Sequence, residues 1–230
     1  MRLPAYQTLA EDLRAEITSG RLQPGERLPT EPQLCARSGV SRSTVREALR
    51  LLASQHLIVT TRGVTGGSFV AHPSPAELSD TLSTGLNLLI SASTAGLCDL
   101  LEVRGSLEVP AAAQAARRRT EEHVADLEAA LFDPETAGVT EMLAAHRAFH
   151  AALVAATGNP LLELLCRPLY QVSNEREVVA TAPPGFWRQV DADHRELLRR
   201  VRDRDPEGAT EAARAHITFI KNALVPQGRP

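Results

Sequence analysis

The sequence predicts a mainly α protein built as an N-terminal winged helix-turn-helix plus a C-terminal antiparallel helical bundle. Three observations carry this. The run His72-Pro73-Ser74-Pro75 stops any preceding strand and stiffens a short connection. Before it, two short helical patterns meet at Gly39 and lead into two β-branched runs around a Gly-rich turn. After it, the chain is rich in Ala, Leu, Arg and Glu at helical spacing. The expected domains are residues 1–71, a linker at 72–75, and a bundle of about six or seven helices over 76–230.

Within the first domain, Leu9, Leu13 and Ile17 fall on one face of a helix over Tyr6–Ser19, which Gly20 ends. The turn Leu22-Gln23-Pro24-Gly25 follows. Thr30 caps a second helix with Gln33 in the capping-box position and Pro32 in the first turn. Ser41 opens a third helix whose buried stripe is Val45, Ala48, Leu49 and Leu52, with Arg42, Arg46 and Arg50 on another face. Residues 57–61 and 68–71 then read as a two-stranded hairpin.

Composition bounds the function. The 230 residues are 43% hydrophobic and 23% charged, which excludes wholesale disorder. Arg2, Pro4, Glu11 and Asp12 break up the start of the chain, so no secretory leader is expected. The longest uncharged run, Thr81–Cys98, is full of Ser, Thr and Gly and predicts no membrane span. Cys35, Cys98 and Cys166 are three and widely spaced, which fits a reducing cytoplasm and neither a disulfide framework nor a Cys-x-x-Cys metal site. The net charge of −3 hides an asymmetry: residues 1–71 carry nine Arg and six acids, while the remainder is net −6. Between positions 37 and 62, five arginines face only Glu47. The first domain is therefore the one expected to meet a polyanion.

A recognition helix brings its N-terminal residues and the positive end of its dipole to the major groove. Arg42, Ser43 and Thr44 supply an arginine fork and short hydroxyls there, and Arg46 lies one turn on. Arg62 and Gly63 in the wing suit a phosphate or minor-groove contact. Double-stranded DNA is the expected partner.

These residues carry a resemblance. Arg27-Leu28-Pro29-Thr30-Glu31, Gly39-Val40-Ser41-Arg42-Ser43-Thr44-Val45-Arg46-Glu47-Ala48-Leu49, and Arg62-Gly63 with Gly66-Gly67-Ser68-Phe69-Val70 resemble the DNA-binding domain of GntR-type bacterial regulators. Pro32 stands where members often carry a DNA-contacting Arg, so the resemblance does not extend to the family's usual operator sequence.

Seven histidines occur. His56, His72 and His123 sit near element ends, where a satisfied or exposed imidazole is expected. His146 and His150 share one face of a helix around Glu141–Ala156, His194 lies on a helix over 186–202, and His216 on one over 206–224. Each shares a stripe with apolar residues: Phe149 and Leu153, Leu197 and Val201, Ile217 and Ile220. Such histidines are either hydrogen-bonded core residues or, pointing into one bundle, ligands of a transition metal.

A second resemblance bears on that choice. Glu102-Val103-Arg104-Gly105-Ser106-Leu107-Glu108, His146-Arg147-Ala148-Phe149-His150 leading to Gly158-Asn159, then His194 and His216 are similar to the all-helical FCD-type effector domain of the FadR branch. The resemblance implies a divalent ion held by His150, His194 and His216, with His146 where the family has an Asp. An all-nitrogen set favours zinc first, with nickel, cobalt or copper as alternatives, over Mg, Ca or Mn. His146 could instead support a ligand without binding the ion itself. Arg104 matches the family's pocket arginine, which implies an organic-acid effector; the residues alone equally allow a salt bridge from Arg104 to Glu108. Trp187, Tyr170 and Asn174 are further candidates for the pocket lining.

The expected function is ligand-responsive transcriptional regulation, with repression as its mode, by a cytoplasmic homodimer on a pseudo-palindromic operator. Two rivals remain open: a metal-responsive regulator without an organic effector, and a helical metalloenzyme. Against the latter, the chain has no His-Glu-x-x-His and no Glu-x-x-His pair of the di-iron kind.

Overall fold

The computed structural model describes residues 3–61, 63, 66–72, 75–171 and 182–225. The chain divides after residue 74 into two compact units. Unit one contains α1 (Ala5–Thr18), α2 (Glu31–Ser38), α3 (Arg42–Ser54), β1 (Ile58–Thr61) and β2 (Gly67–Val70). Unit two contains α4 (Pro75–Ser91), α5 (Leu97–Arg118), α6 (Glu121–Ala129), α7 (Val139–Ala155), α8 (Pro160–Gln171), α9 (Phe186–Arg202) and α10 (Pro206–Leu224) among the described residues.

In unit one the local signals act as expected. The Thr30 N–H donates to Gln33 Oε1 at 2.8 Å, and Ser41 Oγ accepts from the Thr44 N–H at 3.2 Å. Gly39 ends α2 at φ 69°, a left-handed backbone that glycine reaches without a Cβ penalty, and its N–H bonds Cys35 O at 2.9 Å. Leu9, Leu13, Leu34, Val45, Ala48, Leu52, Ile58 and Val70 close over one core; Ile17 and Leu49 are only partly buried at its rim. The hairpin is antiparallel with Ile58 opposite Val70 and Thr61 opposite Gly67. Its second strand is also held from the other side, since the Leu28 N–H donates to Ser68 O at 2.8 Å and the Val70 N–H to Glu26 O at 2.8 Å. Arg62, Pro73 and Ser74, assigned to wing and linker from sequence, lie outside the described residues.

In unit two α5 is the central helix, packed against α7, α8, α9 and α10. Its apolar contacts fall into two main clusters. One holds Ala112, Ala115, Phe149, Leu153, Leu197, Val201 and Ala213; the other holds Leu101, Met142, Phe186, Val190, Ile220 and Leu224. On α5, α9 and α10 buried polar residues sit in sequence between the two, Arg104 with Glu108, His194 and His216; on α7 the half-buried His146 takes that place, and the buried His150 follows Phe149. The bundle core is thus apolar at both ends and polar at one level between them.

Leu34 is fully buried and joins α2 to the unit-one core. Leu34→Ala is expected to destabilise this unit by about 2–5 kcal/mol through lost burial and a residual cavity. Urea unfolding of the wild type and variant measures it; a change below about 1 kcal/mol would show that the site collapses around the deletion.

Candidate metal centre and nucleic-acid interface

The exposed face of α3 begins with three hydroxyls in contact: Ser41 Oγ lies 2.8 Å from both Ser43 Oγ and Thr44 Oγ1. Arg42 and Ser43 are exposed, and Thr44 is half-buried. The arginines differ from the sequence expectation in one respect. They are not opposed by Glu47 alone: Arg37 pairs with Glu16 of α1 at 3.2 Å and Arg46 with Glu31 of α2 at 3.0 Å, while Arg50 pairs with Glu47 at 3.2 Å. Packing of α1 and α2 against α3 brings these acids in, and a linear count of charges cannot register it. Between α3 and the wing runs a groove of about 840 Å³ lined by Arg27, Glu31, Arg46, Arg50 and Gly67, among others. Arg27 donates to Gly66 O and lies over the Phe69 ring at 5.9 Å, so it ties the wing to the body. A Cβ on Gly67 would come within 2.7 Å of Arg27 Nε, so any larger residue there would push the Arg27 side chain aside. Gly63 is exposed at φ 115°.

The second site is in unit two. His146, His150, His194 and His216 each offer a ring nitrogen, and these atoms all lie within 4.8 Å of one another. His150 Nε2 is 3.2 Å from His216 Nε2, and His146 Nδ1 is 3.3 Å from His194 Nε2. His150, His194 and His216 are almost fully buried; His146 is half-buried. The spacing that placed them on shared stripes with Phe149, Leu153, Leu197, Val201 and Ile220 thus brings them to one point. His56 and His72 are exposed, and His123 Nδ1 accepts from the Thr120 N–H at 3.1 Å as part of the α6 cap.

Two carboxylates determine how the rings present themselves. Glu108 Oε2 lies 2.5 Å from His150 Nδ1, and Asp193 Oδ2 lies 3.1 Å from His216 Nδ1. A carboxylate this close to Nδ1 favours the Nδ1–H tautomer and leaves Nε2 as a lone pair; at His216 the contact has hydrogen-bond geometry, and at His150 it is a close charged approach. The two Nε2 atoms that face each other at 3.2 Å therefore both present lone pairs. A cation between them satisfies both. Four imidazoles on one zinc, with bonds of about 2.0–2.1 Å in a tetrahedron, would stand about 3.3–3.4 Å apart, close to the two pairs seen here. His194 Nδ1 is buried without a hydrogen-bond partner among the described residues. The donor set fits a divalent transition ion.

Arg104 is buried and its Nε donates to Glu108 Oε1 at 2.6 Å, with Nη2 on Oε2 at 3.3 Å. The salt bridge that the residues alone allowed is therefore formed, and it leaves Nη1 uncommitted to Glu108. Arg104 also lies 5.3 Å from the Tyr170 ring centre, and Tyr170 is 5.7 Å from the His150 ring. Trp187 stands 6.4 Å from His146, edge to face. Tyr170 and Trp187 thus flank the cluster, while Asn174 lies outside the described residues. Sequence reasoning missed Glu108 and Asp193 as partners of the histidines. The first was weighed only for Arg104; the second lies next to His194 in sequence but serves His216 across a helix pair.

Electrostatics follow from burial. Burial pulls the imidazole of His150 down to about 4, against the raising effect of Glu108. Burial, then the neighbouring rings, holds His146 and His194 well below the ordinary value. Burial would raise Glu108, but Arg104 and then His150 hold it far below the usual carboxylate range. Neutral rings are the form that binds metal.

These directions imply acid lability once metal is stripped by chelation. Above the ordinary imidazole value of about 6.5 the three rings are neutral whether folded or not. Below it, the unfolded chain takes up protons that the folded one refuses, so stability falls by about 1.4 kcal/mol per pH unit for each ring. For His150 this continues until about 4. Glu108, depressed on folding, contributes stability above the ordinary carboxylate value that is lost only further down. The urea midpoint of chelated protein should drop steeply from about pH 6.5 to pH 5; a flat profile would mean that the rings are already charged or open to solvent.

Comparison with known proteins places both units. The "Bacterial regulatory proteins, gntR family" pattern matches residues 5–70, and the "FCD domain" pattern matches residues 99–219. The Glc operon transcriptional activator of Escherichia coli (strain K12) is 30% identical over 234 residues, covering 97% of this chain and 90% of that protein. A proposed L-lactate dehydrogenase operon regulatory protein of the same strain is 29% identical over 226 residues, covering 94% of this chain and 84% of that one. Among solved structures, a Streptococcus agalactiae GntR protein shares the fold at a TM-score of 0.53 and 23% identity, over 94% of this chain and 99% of that one. With a helix-turn-helix and wing in front and a helical effector domain behind, the chain belongs to the gntR family of bacterial regulatory proteins with an FCD domain: it is a DNA-binding transcriptional regulator with a small-molecule effector domain.

Proposed function

We propose that this regulator represses transcription as a homodimer on a pseudo-palindromic operator, and that a small carboxylate bound at a His-held metal modulates its DNA binding. The observation that carries the metal is the pair of imidazole lone pairs facing each other at 3.2 Å, with both far nitrogens already facing carboxylates. His150, His194 and His216 would hold the ion, with His146 as the fourth ligand, and zinc, nickel or cobalt suits that set. When bound, the ion would supply an electropositive centre for an anionic oxygen. Glu108 and Asp193 orient two of the rings and return negative charge at one remove.

Arg104 is the second anchor for the acid. Its guanidinium is held by Glu108 through Nε and Nη2, which keeps it oriented and charged with Nη1 left over. The name of one relative mentions L-lactate. That makes L-lactate the first acid to try here. On DNA, Arg42, Ser43, Thr44 and Arg46 would read the major groove, and Arg62 with Gly63 in the wing would meet the backbone. That the relatives are transcriptional regulators favours this reading over a helical metalloenzyme.

Metal analysis of purified protein tests the centre. One zinc, nickel or cobalt per chain is expected, lost in His150→Ala; metal-free protein indifferent to chelator would overturn it. Operator binding titrated with metal alone, then with metal and L-lactate or other short carboxylic acids, tests the effector. An effector acts only by binding one state of the regulator more tightly, and a change of about 5–150-fold in DNA affinity is the expected size. Arg104→Lys, which keeps a cation beside Glu108 but loses the planar fork, should weaken the acid response while keeping metal and operator affinity. A full response to metal alone would make the chain a metal sensor, and equal potency of neutral ligands would refute the carboxylate.

A further inference from the structure

Three arginines of unit one are ion-paired, but not in the same way. Arg37 and Arg50 use a terminal nitrogen, Nη1, on Glu16 and Glu47 respectively. Arg46 is held by its inner nitrogen: Nε donates to Glu31 Oε1 at 3.1 Å and to Oε2 at 3.0 Å. Its two terminal NH2 groups have no hydrogen-bond partner among the described residues, and the side chain is 61% exposed. Glu31 is the first residue of α2, anchored on one side by the Thr30–Gln33 cap and on the other by Pro32. Its carboxylate therefore stands on a fixed backbone, beside the groove between α3 and the wing.

Charge and geometry act together in this pair. A guanidinium reads guanine with two parallel N–H donors onto O6 and N7. Free in solvent, the side chain must lose rotamer freedom to do so, and its charge is equally satisfied by any phosphate. Held at Nε, the plane of the fork is set beforehand, and an acid next to it removes much of the attraction for phosphate at large. Glu31 also repels the phosphates of every sequence alike. It thus costs general affinity while sparing the one contact that needs the fork.

We propose that Glu31 is a positioning residue for sequence discrimination: it holds Nε of Arg46 so that the terminal nitrogens address a base edge, and it suppresses binding to non-operator DNA. This rests on α3 being the base-reading face. It assigns to Glu31 a role in DNA recognition without any contact of its own to a base.

The test uses the full-length protein. Selection from random-sequence duplexes by the wild type defines its best site, and affinities for that site and for a scrambled duplex are then measured against salt. Glu31→Gln should bind the scrambled duplex more tightly, with a salt slope steeper by about one, and its discrimination between the two duplexes should fall about 10-fold. Glu31→Asp keeps the charge one methylene short; it should hold non-specific binding near wild type yet lose discrimination. In an Arg46→Ala background, Glu31→Gln should change discrimination no further. Unchanged discrimination in Glu31→Gln, or an equal loss with and without Arg46, overturns the proposal. If Arg46→Ala itself discriminates as wild type, both the base-reading role of Arg46 and this inference fall. If only Arg46→Ala loses discrimination, the inference alone falls. Thermal unfolding of each variant separates these outcomes from a change in folding.

Discussion

Unit two depends on one buried carboxylate. Glu108 is about 1% exposed, and it meets Arg104 on its own helix and His150 on α7. Without it, Arg104 would be an uncompensated cation in a helical core, a situation that costs several kcal/mol. With it, the middle level of the bundle can hold an arginine and an array of neutral imidazoles between two apolar layers. The same contact gives His150 its tautomer. One side chain thus bears on both the burial of Arg104 and the presentation of His150.

That arrangement also explains the absence of a carboxylate among the four converging groups. His146 stands at the position where the family resemblance puts an Asp, so the inner set is all imidazole. The negative charge is displaced outward, to Glu108 and Asp193 behind two of the rings. Such a set would draw a cation less by net charge than by lone pairs already aimed at one another. Phe149 stacks on His194 with ring centres 4.1 Å apart, so the apolar core directly supports the ring whose Nδ1 has no partner among the described residues. Arg104, facing both Glu108 and Tyr170, links the polar level to α8.

Unit one works by shorter-range rules. Its helix starts and stops are local events, set by Thr30, Ser41 and Gly39. Its wing is held by Arg27, which crosses from the segment before α2 to the turn. The positive charge of this unit is distributed by pairing: acids on α1 and α2 take up Arg37 and Arg46, and Arg42 has no ion pair among the described residues. What unit one leaves exposed is then not a count of arginines but the set of nitrogens that these pairs do not take up.

Most of the fold and much of the candidate centre could be read from the chain alone. Helical periodicity placed α9 and α10 at the limits found, and the stripes shared with Phe149, Leu197 and Ile217 pointed four histidines inward. These are short-range facts: a side chain's face follows from the 3.6-residue repeat, and a cap follows from the residue at the helix end. Tertiary structure decided what those side chains meet. That Glu108 faces His150 as well as Arg104, that Asp193 serves His216 while its neighbour His194 joins His146, and that Glu31 takes the inner nitrogen of Arg46 all depend on how separate helices are packed. Contacts across 15 to 66 residues carry no periodic signal, because spacing along one helix fixes a direction but not the partner that waits there.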